Sequence, residues 1–317
     1  MRSRLTPLLV LSALLLAACG GDDDGAAPGS TDAKGGVTIE HAFGTTTLDE
    51  VPEVIVSLDA QWTDALLALG EAPDAYASDP NLEGGVRPWQ QLPEDAEAIP
   101  FQSTLPLEAI ASFEPDLILV SWQAPDEESY EALAAIAPTI PLLGERQVDH
   151  WQDQVVALGQ ALRKEDEAQA FVEQVQAEVD ALAAELPGLQ GKTYAMINYV
   201  PGDSINVVAD PEDGANLFFE DLGLGIDPDI LEVADGVSGR AQLSLEQAGM
   251  LDADLLIAFS QGGDLTELVG WDRLPAVRSG ALAVLDYGPV TALNTPSGLS
   301  LRYIMDEIRP ALEAAAR

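Results

Sequence analysis

The 317-residue chain carries 54 acidic against 14 basic side chains, a formal net charge of −40, and 47 % of its residues are hydrophobic. That charge excludes nucleic acid as a partner, because a polyanion is held by clustered Lys and Arg, while the length suits two ordinary domains or one large one with a sizeable core. One cysteine and two histidines exclude an internal disulfide framework, a Cys-rich zinc site, a CxxC redox centre and a metal site built on several imidazoles.

In chain order, Arg2 and Arg4 precede an apolar run over residues 5–16, followed by Ala17, Ala18 and Cys19. A basic start, a short apolar run and a small-residue cleavage point make residues 1–18 an export signal, too short to span a bilayer. The end of this segment, "LAAC", resembles the lipobox of bacterial lipoproteins, which implies that Cys19 is diacylated and becomes the first residue of the mature protein. Two acyl chains hold a protein on a bilayer where one does not, so the expected location is the outer face of the cell membrane. Residues 19–36, rich in Gly, Ala, Ser and Asp, bury too little surface to offset their ordering entropy and read as a flexible tether.

From residue 37 onward strand and helix signals alternate. "VTIEHAFGTTTL" reads as a hairpin, "VIVSL" as a short buried strand, and "WTDALLALG" as a helix stopped by Gly70. A short helix, a turn at Pro115 and a strand from Leu117 follow, then helix-like "EESYEALAAIA" and strand "TIPLL". Residues 148–186 form a long helical stretch with two apolar stripes at helical spacing, and Glu165 to Glu167 sit where a second helix begins, favoured by the positive N-terminal end. Pro187-Gly188 closes it. After Gly191 come strands "TYAMINYV" and "INVVA", a helix over "ANLFFEDLGL", a second helix-turn-strand unit, strand "LAVLD" and a last helix from Gly298. Such alternation predicts an α/β fold with mostly parallel sheets.

An internal echo divides this part in two. "QSTLPLEAIASFEPDLILVSWQ" from Gln102 lies over "RAQLSLEQAGMLDADLLIAFSQ" from Arg240 without gaps, pairing Leu105, Leu107, Glu108, Asp116, Leu117 and Gln123 with Leu243, Leu245, Glu246, Asp254, Leu255 and Gln261. The predicted organisation is an N-terminal lobe over 37–147, connecting helices over 148–187 and a C-terminal lobe over 188–317.

"AFGTTTLDEVPEVIVSL", "ALLALGEAP", "LEAIASFEPDLIL", "IAPTIPL", "LSLEQAGMLDADLLI" and "WDRLPAVRSGALAVLD", in this order, resemble the substrate-binding proteins of bacterial ABC importers for iron–siderophore complexes, and more distantly those for cobalamin and haem. The resemblance implies two Rossmann-like lobes joined by a long rigid helix, with the ligand in the cleft between them. It also implies that Glu108 and Glu246, one per lobe, dock onto basic residues of the membrane permease, itself driven by a cytoplasmic ATPase. No catalytic residue, resident cofactor or protein metal ligand is expected, because a siderophore already saturates its iron, and the protein is expected to act as a monomer.

Ligands of α/β lobes meet the loops at the carboxyl ends of strands. This criterion, together with the segment before Phe101 and the loops that open the two echo units, selects Asp59, Gln61, Trp62, Arg87, Trp89, Gln102, Ser103, Trp122 and Gln123 in the first lobe, and Tyr199, Arg240, Gln242, Tyr287 and Asn294 in the second. Aromatic residues with few charges suit a bulky, partly apolar small molecule. With two candidate arginines in an acidic field, a neutral or cationic hydroxamate chelate fits better than an anionic catecholate. Haem, with Tyr199 or Tyr287 as axial ligand, and cobalamin are the alternatives within the class. An exported hydrolase is the alternative outside it, although the chain has no GxSxG, HExxH, P-loop or GxGxxG pattern; a ligand-free structural lipoprotein is the third.

Overall fold

The computed structural model describes residues 36–100, 104–233 and 239–317, so the expected signal, the tether up to residue 35, Cys19, Gln102 and Ser103 lie outside the described residues. An antiparallel hairpin opens the described chain, β1 (Val37–His41) against β2 (Gly44–Leu48). Five short strands then form a wholly parallel sheet: β3 (Ile55–Ser57), β4 (Ala75–Ser78), β5 (Glu97–Pro100), β6 (Leu117–Leu119) and β7 (Thr139–Ile140), in the order β5-β4-β3-β6-β7. Strand alternation sends Ile55, Leu117 and Leu119 to one face and Val56, Ile118 and Val120 to the other, and both sets are buried. The helices of this lobe are α1 (Ala60–Ala68), α2 (Leu107–Ala111) and α3 (Glu127–Ala134). Gly70, at φ 73°, ends the first of them in the left-handed region that glycine adopts without strain.

Two helices connect the lobes, α4 (Trp151–Leu162) and α5 (Glu165–Glu185). The break between them falls at Arg163, whose φ of 58° makes a left-handed C-cap; the acidic first turn of the second helix, Glu165, Asp166 and Glu167, complements its dipole. They pack closely at the corner. A Cβ on Gly159 would stand 2.5 Å from the Cβ of Ala168.

The second sheet is mixed. It contains β8 (Thr193–Val200), β9 (Ser204–Val208), β10 (Gly225–Ile226), β11 (Arg240–Ser244), β12 (Leu255–Ser260) and β13 (Leu282–Val284). The path β11-β9-β8-β12-β13 runs through it, with β10 also on β8; the pairs β11–β9 and β8–β9 are antiparallel and the rest parallel. The antiparallel pair arises because "YVPGDS" is a tight connection between β8 and β9, too short for a crossover helix. Around the sheet lie α6 (Gly214–Asp221), α7 (Pro228–Val233), α8 (Pro275–Ser279), α9 (Tyr287–Asn294) and α10 (Gly298–Ala315). The last helix packs on β12 and β13 but also on α1 of the first lobe and on α5, where Arg302 grips Glu178 through two hydrogen bonds of 2.8 and 2.7 Å.

The internal echo has a structural counterpart. Asp116 precedes β6 and its Oδ2 accepts from the N–H groups of Glu53 and Val54, at the entry to β3. Asp254 precedes β12 and its Oδ2 accepts from the N–H of Thr193, at the entry to β8. Each lobe thus uses the matched aspartate to clasp the start of the neighbouring parallel strand.

Candidate functional site

The first sheet reverses its strand order between β3 and β6, which is where open α/β sheets take their ligands. The loops leaving these two strands carry Asp59-Ala60 and Trp122-Gln123. They border a cleft of about 470 Å³ whose opposite wall comes from the second sheet, through Met196 and Asn198 of β8, Arg240 of β11, Phe259 of β12, and Tyr287, Thr291 and Asn294 of α9. A second chamber of about 380 Å³, walled by residues 76–81, shares Ala60, Arg87, Trp122, Gln123 and Tyr287 with it. Both volumes lie in the range of small-molecule sites.

Asp59, Arg87, Trp122, Gln123, Arg240, Tyr287 and Asn294 are therefore brought together as the sequence implied. The structure puts several others elsewhere. Trp62 is fully buried under α1, its Nε1 donating to the Val120 carbonyl at 3.2 Å. Its position three residues after the N-cap turns it into the core, as helical geometry requires. Gln61 is buried too and donates to the Pro296 carbonyl. Trp89 packs against Tyr303 and donates to Asp64 Oδ2 at 2.8 Å. Tyr199 is buried on β8. Gln242 is exposed on β11 and donates to Ser204 Oγ at 3.0 Å. None of these five lines the cleft.

Glu108 sits in the first turn of α2 and Glu246 in the first turn of the short 3-10 segment 245–250; both are exposed.

The charges in the cleft are arranged in pairs. Arg87 Nη1 lies 2.9 Å from Asp79 Oδ2, and the same oxygen accepts from the Tyr287 hydroxyl at 2.8 Å, across the boundary between the lobes. Burial alone raises the Asp79 pKa, but the Asn81 N–H, the Tyr287 hydroxyl and the Arg87 charge outweigh it and hold the carboxyl below its ordinary range. Tyr287 is pushed upward by burial and by its carboxylate neighbour, so it keeps its proton. Arg240 lies 3.1 Å from Asp213 Oδ1 and donates to the carbonyl and Oδ1 of Asn294 at 3.0 and 3.2 Å. Asp59 is committed differently: its Oδ1 caps α1 by accepting from Gln61 N at 2.8 Å and Trp62 N at 3.3 Å. Burial raises its pKa, against those N–H groups and the charge of Arg87.

Sequence reasoning did not select Asp79, Asp213, Met196, Asn198, Phe259 or Thr291. The polar Asn198 at the centre of an apolar strand was a signal that could have been used, since a buried strand spends a polar side chain only where something meets it. Asp79, in the turn "SDPNL", offered none.

A family model described as "Periplasmic binding protein" matches residues 55–287. The chain is 26 % identical over 280 residues to the Fe(3+)-citrate-binding protein YfmC of Bacillus subtilis, spanning 86 % of this chain and 85 % of that one. It is 25 % identical over 335 residues to the probable siderophore-binding lipoprotein YfiY of the same organism, spanning 97 % and 98 %. Among solved structures, PiaA of Streptococcus pneumoniae in complex with ferrichrome superposes with a TM-score of 0.72 at 26 % identity, covering 88 % of this chain and 98 % of that one.

Proposed function

Because the chain belongs to the periplasmic binding protein family, its cleft is a solute site, and we infer that the solute is a ferric siderophore which the protein captures outside the cytoplasm and delivers to an ABC permease. The observation that carries this reading is the two-walled cleft at the strand switch point, lined by aromatic, amide and arginine side chains from both lobes. Relatives named for ferric citrate and siderophores, and a similar fold holding ferrichrome, support the same ligand class. The protein binds and releases; its buried acids Asp59, Asp64, Asp149 and Asp213 serve as helix caps and hydrogen-bond acceptors. Haem fits less well, since Tyr199 is buried away from the cleft and the Tyr287 hydroxyl is committed to Asp79 at 2.8 Å.

Anchoring through diacylated Cys19, and docking of Glu108 and Glu246 on basic permease residues, complete the proposal. Two fixed charges on separate lobes set orientation and register on a partner more than they add affinity. Calorimetric titration of the mature protein with ferric chelates tests capture: saturable one-to-one binding at micromolar concentration is expected, and no heat with any chelate would refute it. A Glu108→Ala, Glu246→Ala double variant is expected to bind as the wild type does while cells carrying it lose uptake. Uptake at the wild-type rate would remove the docking role.

A further inference from the structure

Among the described residues, the charged side chains lining the two chambers are Asp59, Asp79, Arg87 and Arg240. Each arginine already has a carboxylate. Asp79 is held rigidly for its arginine, because its Oδ1 accepts from both the N–H and the side-chain amide of Asn81, at 2.9 and 3.1 Å, leaving Oδ2 for Arg87 and Tyr287. Asp213 caps α6 through a 2.9 Å bond from Ala215 N, and its side chain is wholly inaccessible behind Arg240. Each carboxylate is thus tied to its own loop by hydrogen bonds that do not involve its arginine.

We propose that Asp79 and Asp213 are specificity-determining residues that cancel the charge of Arg87 and Arg240, so that the cleft takes neutral or cationic ferric chelates, of the hydroxamate type, and rejects anionic ones. The proposal rests on the siderophore reading above and deepens it. An arginine paired in this way still offers N–H donors to neutral oxygens, such as the hydroxamate oxygens around iron, and the Tyr287 hydroxyl stands beside them. An anionic citrate or catecholate chelate meets no net positive charge. To gain one it would have to draw an arginine off its partner, stranding a part-buried carboxylate in Asp79 or a fully buried one in Asp213, and leaving a buried charge unpaired is costly. Asp59 adds no attraction for an anion either. The selection is therefore exercised by two acids, one of which stands behind the wall of the site.

The test uses the mature protein and three probes of comparable bulk: ferrichrome, which is neutral; ferrioxamine B, which is cationic; and ferric enterobactin, which is strongly anionic. The wild type is expected to bind the first two at least about a hundredfold more tightly than the third, and Asp79→Asn is expected to narrow that ratio by about tenfold, as removal of one charge beside the ligand should. Tyr287→Phe, which removes the hydrogen bond but leaves the charges, is expected to weaken binding of all three without changing the ratio. Thermal melts by circular dichroism establish that each variant folds, and Asp213→Asn is the parallel substitution on the other arginine. Equal wild-type affinity for the neutral and anionic probes overturns the proposal, as does an unchanged ratio in a folded Asp79→Asn. Failure of the wild type to bind any ferric chelate instead overturns the siderophore reading on which the proposal stands.

Discussion

Asp64 illustrates how much one side chain can hold. It lies fully inside the molecule on α1 and accepts hydrogen bonds from Trp89 Nε1, Gln90 Nε2 and Ser297 Oγ, so that α1, the segment carrying Arg87 and the N-cap of α10 meet on one carboxylate. Burial drives its pKa from 3.8 up to about 6, against those three donors. A carboxyl whose folded pKa exceeds its unfolded value takes up a proton on folding between the two. Stability is then greatest on the acid side and falls as pH rises from 3.8 to about 6, by about 3 kcal/mol for this group. Asp149 is likewise raised to about 6, by burial and by the charges of Asp59 and Asp153. Denaturant melts of wild type and Asp64→Asn across this window should show the wild type losing stability relative to the variant as pH rises; parallel curves would contradict the assignment. At this scale the sequence was only half legible. Strand ends pointed to Arg87, Trp122, Gln123, Arg240, Tyr287 and Asn294, but which neighbour on a helix turns inward, as with Gln61 and Trp62, depends on where the cap falls. Asp79 lies only eight residues before Arg87 but in an irregular loop with no period to reveal the pairing, and no local pattern reports a contact spanning 208 residues such as Tyr287 to Asp79.

At the level of elements, the strong signals held, as did the short strands read in "VIVSL", "TIPLL" and "LAVLD", while other short elements gave no signal. The hairpin, the long strand β8, the two connecting helices and the final helix all follow from alternation, helical spacing and glycine or proline stops. The strands β4, β5, β10 and β11 are two to five residues long, and α9 follows "LAVLD" where the sequence reads as loop. Short buried strands carry too few residues for a period to show, and their pairing is decided by the sheet that receives them. The corner between α4 and α5 is tight enough to be sensitive to a single change. Gly159→Ala would place a methyl 2.5 Å from the Ala168 Cβ and 3.2 Å from the Lys164 carbonyl. Neither is the end of a flexible side chain, so the helices must part, at a cost of about 1–3 kcal/mol. A lower midpoint in urea, with an unchanged denaturant slope, is the expected reading; an unaltered midpoint would show that the corner has slack.

For the whole molecule, a formal charge of −40 means that self-repulsion works against the folded state. Raising sodium chloride from about 0.1 M to 1 M shortens the screening length from about 10 Å to 3 Å, so the melting temperature should climb with salt. A flat response would mean that the ion pairs Arg302–Glu178 and Arg309–Glu185, which the same salt weakens, offset the relief of repulsion. The chain also distributes its indoles unevenly. Trp62, Trp151 and Trp271 are interior and Trp89 is half-covered, whereas Trp122 is 52 % exposed at the rim shared by both chambers. The protein thus carries a built-in optical gauge: acrylamide should dim mainly the emission from the rim, an occupied cleft should shield that emission from the quencher, and replacing Trp122 with Phe should leave a spectrum blind to occupancy.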